Sequence, residues 1–227
     1  MNNRMKFWIS GTPATFATKN EVPWKQQIEK SIPSVYGEKF FGMKLKFILH
    51  TLAPLNHPLD VDNLCEPAFS VIINKLGWIG GRRPNLKWWN AEKIEGKESG
   101  LELLMESTTN HEMTSELGNP FFDDVFNGKL PHSATDPEIP TWLDSLNRIK
   151  SPRNVNNFVV RLQFGADKIN IGDIATGRVK SVIDCLYPLI GGMRGKPKDW
   201  RINILQVEKN VPELNRNSVR VRLWNKS

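Results

Sequence analysis

Adding 111 to a residue number in the first half of this chain recovers similar residues, in the same order, in the second half. Phe47-Ile48-Leu49 returns as Phe158-Val159-Val160, Asp62 as Asp173, Ser70-Val71-Ile72 as Ser181-Val182-Ile183, and Ile79-Gly80-Gly81 as Ile190-Gly191-Gly192. Beyond the glycines Arg83, Lys87 and Trp89 match Arg194, Lys198 and Trp200, so the register is gap-free over about 43 positions. A fixed period is the mark of a duplicated unit, and whatever the first copy builds the second is expected to build again. The unit reads as strand, acidic turn, helix, Gly-Gly, basic loop, strand. No second copy of residues 1–40 is evident.

In the first copy Met5 to Ser10 and Lys44 to Leu52 read as strands, and Pro23 to Ile32 as a helix. Leu64, Ala68, Phe69, Ile72, Ile73 and Leu76 recur at spacings of three and four, which predicts an amphipathic helix over Asn63 to Leu76. Gly100 to Met105 predicts a closing strand.

Charge divides the chain further. Of its 31 Lys+Arg and 24 Asp+Glu, 14 and 11 fall in residues 1–106, 2 and 7 in 107–148, and 15 and 6 in 149–227. The expected organisation is a first unit over 1–106, an acidic linker or insertion over 107–148, and a degenerate basic unit over 149–227. A C-terminal third at +9 suits a polyanionic partner, since neutralised phosphates release counterions; a solvated basic face would look the same. Nowhere do about 18 apolar residues run without a charge, so no membrane span is expected. Cys65 and Cys185 have no Cys or His neighbours at ligand spacing, which fits a reduced cytoplasm better than a disulfide scaffold. His50, His57, His111 and His132 show no ligand or triad spacing either.

The segment richest in chemistry is Asp60-Val61-Asp62-Asn63-Leu64. If it is extended, the two carboxylates share a side, and two hard oxygens converging there suit Mg²⁺ that keeps waters and a phosphate in its shell. The competing reading is local: Asn63 followed by Glu66 is a capping box, with Asp62 favouring the helix N-terminus.

These residues, with Gly11, Pro13, Ala68-Phe69 and Trp78-Ile79, resemble the RusA family of crossover-junction endodeoxyribonucleases, the Holliday junction resolvases. The resemblance covers roughly the first half. It implies a small α+β fold, a mixed sheet with packed helices, that acts as a homodimer and nicks four-way DNA junctions with Mg²⁺ or Mn²⁺, with Asp60 and Asp62 as metal-binding carboxylates. Two positions depart from the family. Glu66 stands where the family has a helical Lys, and Gly80-Gly81 where it has a further acidic pair. Glu66, one turn from Asp62, is a candidate for the third catalytic carboxylate or a helix cap. In the second copy only Asp173 remains acidic, and Arg178 and Lys180 bring positive charge. The whole resembles a single-chain version of the family's homodimer with one degenerate half.

After each Gly-Gly lies a basic cluster with aromatics: Arg82, Arg83, Lys87, Trp88 and Trp89, then Arg194, Lys196, Lys198, Trp200 and Arg201. Such groups bind phosphate and stack on unpaired bases, though Trp89 and Trp200 at strand starts equally suit a core. Arg216, Arg220 and Arg222 alternate with apolar residues and make one face of a last strand basic. Three functional expectations follow: a metal-dependent, structure-selective endonuclease of recombination, repair or phage-related defence; a pseudo-nuclease that binds branched or duplex DNA without cutting; and a protein whose acidic segment 112–144 contacts a partner or covers its own basic surface.

Overall fold

The computed structural model describes residues 4–33, 40–52, 59–76, 86–109, 117–132, 136–137, 139–149, 156–165 and 177–226. They form two units, Met1–Met113 and Thr114–Ser227, each α+β with a mixed sheet.

In the first unit the order is β1 (Arg4–Ser10), α1 (Glu21–Ser31), β2 (Gly42–Leu49), α2 (Val61–Phe69), β3 (Trp88–Glu95) and β4 (Gly100–Glu106). Strand β2 shows why a sheet forms: Met43, Leu45, Phe47 and Leu49 are buried and alternate with half-exposed Lys44 and Lys46, so one face is committed to a core. The strands lie in the order β1-β4-β2-β3, with β2 and β3 parallel and the other pairs antiparallel. A parallel pair needs a crossover, and α2 supplies it. Helix α1 buries Trp24 and Ile28, and α2 packs on β3, where Phe69 meets Trp89 edge-on with ring centroids 5.2 Å apart.

Pro67 sits inside α2 and has no N–H to give to Asn63, four residues earlier. The carbonyl so released accepts from the Phe16 N–H at 3.1 Å, which ties the loop after β1 to the helix. Beyond Phe69 the helix widens into a π-helical turn over Ser70–Lys75.

The second unit runs β5 (Phe122–Asn127), α3 (Ile139–Leu146), β6 (Phe158–Phe164), α4 (Arg178–Cys185), a short α5 (Tyr187–Ile190), the hairpin β7 (Gly192–Met193) and β8 (Lys196–Pro197), β9 (Ile202–Lys209) and β10 (Ser218–Asn225). Its main sheet has the order β9-β6-β10-β5, with β6 and β9 parallel and the other pairs antiparallel. Strand for strand this is the first unit again, β5 taking the place of β1, β6 of β2, β9 of β3 and β10 of β4.

The structure here differs from the sequence reading. Residues 107–148, expected as a linker, hold β5 and α3, so the second copy does have a counterpart of residues 1–40. One local geometry fixes the match: Gly11 and Gly128 each follow the edge strand at φ +126°, and their N–H groups donate to Ser99 O at 3.1 Å and Asn217 O at 2.8 Å. The acidic composition of β5 concealed it. Asp123 is held by arginines of β10, and Asp124 folds its carboxylate back onto the Val125 N–H at 2.8 Å. No helix among the described residues is long and apolar enough to cross a membrane.

A methyl group added at Gly128 would touch nothing within 4 Å, so Gly128→Ala reports the left-handed backbone alone and should lower stability by about 1–2 kcal/mol. Gly42→Ala is expected to lower it further, because its Cβ would lie 2.0 Å from the Trp88 ring. Urea unfolding midpoints of the two variants check this ranking.

Candidate functional site

The acidic turn begins where the chain enters α2. Asp60 is the N-cap residue, extended at φ −69° and ψ 133°, and the helix starts at Val61. Asp62 is therefore already helical, so the extended Asp60 to Asp62 segment expected from spacing is not what forms. The expected capping box from Asn63 does not form either. Asn63 lies in the first turn, where its Nδ2 donates to Asp60 Oδ2 at 2.9 Å. Both acids sit at the positive end of the helix dipole, a favourable place for them. They are also closed in, with Asp60 8% and Asp62 2% exposed. Burial and then the Asp62 charge push the Cys65 thiol well above its ordinary pKa.

A residue that sequence reasoning missed completes the turn. Lys93 of β3 is 2% exposed and donates from Nζ to Leu59 O at 2.8 Å, immediately before Asp60. The signal was available, since Trp89, Ala91 and Lys93 alternate on one face of a strand and only the last is charged.

Glu66 is turned towards α1. Its Oε2 lies 3.7 Å from Lys25 Nζ, which also pairs with Glu21 Oε1 at 2.5 Å. Burial raises the Glu66 carboxyl above its usual range, with Lys25 opposing. Among the described residues no three His, Cys, Asp or Glu side chains converge as ligands. A Mg²⁺ ion working on phosphate keeps open positions for waters and substrate oxygens. Two enclosed carboxylates with a buried ammonium at the same turn do not fit that requirement for Mg²⁺ or Mn²⁺.

Of the first basic cluster, Arg82 and Arg83 lie outside the described residues, as do Gly80, Gly81 and Asp173. Lys87 is half exposed and its backbone N–H donates to Phe41 O at 2.7 Å. Trp88 and Trp89 are core residues, 1% and 0% exposed, so neither offers a stacking face. Trp88 lies against Gly42 and donates from Nε1 to Thr108 O at 3.2 Å.

The second cluster is presented outward. Strands β7 and β8 pair Gly192 with Pro197 and Met193 with Lys196, leaving Arg194-Gly195 as a two-residue turn in which Gly195 has φ +77°. Arg194, Lys196 and Lys198 are exposed on and beside this hairpin. Arg201 stands behind it, donating from Nη1 to Ile190 O at 3.0 Å with its guanidinium 5.6 Å from the Trp200 ring centroid. The charges on α4 are used internally: Lys180 lies 2.5 Å from Asp199 and 3.1 Å from Asp184, and Arg178 reaches Leu130 O at 3.3 Å.

On β10 the basic face exists but is occupied. Asp123 accepts from Arg220 Nε and Nη2, both at 2.7 Å, and from Arg222 Nε at 3.2 Å. The Arg220 hydrogen bonds hold the Asp123 carboxyl below its usual range and raise the Arg220 guanidinium in turn. Compared with known proteins, the chain matches no family model and no curated protein.

Lys93→Met would leave Leu59 O without its donor and lower stability by about 1–3 kcal/mol, read as a fall in the urea midpoint.

Proposed function

We propose that this chain is a DNA-binding protein built as two RusA-like units in tandem, which grips branched or duplex DNA through its second unit and does not cut it. The observation that carries the reading is the hairpin of the second unit, where Arg194, Lys196 and Lys198 stand exposed together. Gly191 and Gly192 lead into it and Gly195 lies in its turn, all at positive φ, and they let backbone come close to phosphate, while the Lys and Arg heads neutralise it. The second unit carries 17 Lys+Arg against 12 Asp+Glu and the first 14 against 12, so the field is stronger where the hairpin is. The repeated order of elements supports the tandem part, and the resemblance at Asp60 to Leu64 supports the family.

The closed acidic turn supports binding over hydrolysis. Asp60 accepts from the Asn63 side chain, Asp62 is enclosed in the first helical turn, Glu66 faces Lys25 of α1, and Lys93 neutralises part of the charge a metal would otherwise meet. Metal-dependent cleavage at Asp60 and Asp62 is the second reading, supported by the motif alone.

A labelled four-way junction and a matched duplex, incubated with Mg²⁺, Mn²⁺ or chelator, separate these readings. Binding without nicking in any metal is the expected result. Nicking that disappears in Asp60→Asn/Asp62→Asn would establish the endonuclease instead. Absence of both would transfer the function to a protein partner of segment 112–144, whose described residues Phe126, Leu130 and Trp142 line a cleft of about 480 Å³. For binding itself, Arg194→Gln/Lys196→Gln/Lys198→Gln should flatten the log–log salt dependence by up to about 0.9 per charge removed.

A further inference from the structure

The second unit carries a second group of cations that the hairpin does not explain. Arg220 and Arg222 are two residues apart on β10 and so share a face of its sheet. Across the ladder, Arg222 stands directly opposite Arg161 of β6. Three arginines therefore share one face of the sheet, Arg161 buried and Arg220 and Arg222 half-buried, and like charges opposite one another repel. Only two carboxylates answer them in the described contacts. Glu208 takes Arg161 Nη2 at 2.8 Å and also accepts from Gln163 at 2.9 Å. Asp123 alone serves both Arg220 and Arg222. Arg161 is 5% exposed and its Nη1 is buried with no hydrogen-bond partner among the described residues.

We propose that Arg220 and Arg222 form a binding surface for the phosphodiester backbone of nucleic acid, with Arg161 buried beside them adding to the positive field, and that Asp123 stands in for a phosphate there until DNA displaces it. The proposal rests on the DNA-binding reading and adds to it a site and a means of restraint. A guanidinium fork accepts a carboxylate or a phosphate through the same two parallel hydrogen bonds, and Asp123 already occupies the fork of Arg220. Arg220 and Arg222 converge on one carboxylate, the arrangement that one phosphate of a nucleic-acid backbone takes in its place. Asp123 belongs to the edge strand, attached to the patch through one strand pairing. Binding here exchanges one anion for another, so the resident carboxylate lowers the apparent affinity.

The test is fluorescence anisotropy of labelled duplex and four-way junction across a series of salt concentrations. It compares the full chain with Asp123→Asn, with Asp123→Ser as a second form of the same change, with Asp123→Asn/Arg220→Gln/Arg222→Gln, and with the hairpin triple variant. Removing the carboxylate should tighten binding about three- to tenfold at low salt and steepen the salt slope by about 1–2. That gain should vanish when both arginines are also removed. Wild-type affinity and slope in both Asp123 variants, beside a weakened hairpin variant, would overturn this inference and leave the DNA-binding reading standing. A gain that survives loss of the arginines would overturn it too, by assigning the effect to net charge. No binding by any form would remove both.

Discussion

A parallel pair of strands cannot be closed by a tight turn, and each unit is organised around one such pair, β2 with β3 and β6 with β9. The chain must return across the sheet between them. In the first unit that return is α2, and its N-terminus stands where the parallel strands end, which is why Lys93 near the end of β3 reaches Leu59. Open sheets of this kind leave room for ligands beyond the carboxyl ends of their strands. The acidic turn thus occupies the place where a site would be built, with its carboxylates drawn inward.

Much of this was readable from the chain. The register of 111 pointed to a repeat but misaligned it: the matching elements begin 114 to 118 residues apart, β2 and β6 at 42 and 158, and α2 and α4 at 61 and 178. It set Phe47, near the end of β2, against Phe158, the first residue of β6, and the true offset varies because loops changed length. Gly11 and Gly128 are 117 apart, and Trp24 and Trp142, each one or two residues after a helix-opening proline, are 118 apart. The β3–β4 connection, residues 96–99, is matched by the longer 210–217 between β9 and β10. A gap-free comparison has no means of following such steps, so a strand and a helix were read as an acidic linker.

The site was legible in its residue types and less so in its directions. That Asp60, Asp62 and Glu66 cluster in sequence is plain, yet one residue of helix start decides where each points. Beginning at Val61 rather than Asn63 places Asp62 within the helix, and Glu66 is drawn to Lys25 on a helix more than thirty residues earlier. The tryptophans divide in the same way. Trp88 and Trp89 are absorbed by Gly42 and Phe69, partners that no spacing reveals, whereas Trp200 stays half exposed beside Arg201. The hairpin was the easier case, since glycines around alternating cations leave little apolar surface to bury.

The carboxylate that Asp124 turns onto its own Val125 N–H has a further consequence at the end of the second unit's sheet. An edge strand offers unpaired backbone groups to any extended segment that passes, including the same strand of another copy. On β5 a central donor is already taken by the neighbouring side chain, and the anion that takes it repels its own image on a second molecule. One rung of that edge is thereby withdrawn from pairing with a further strand.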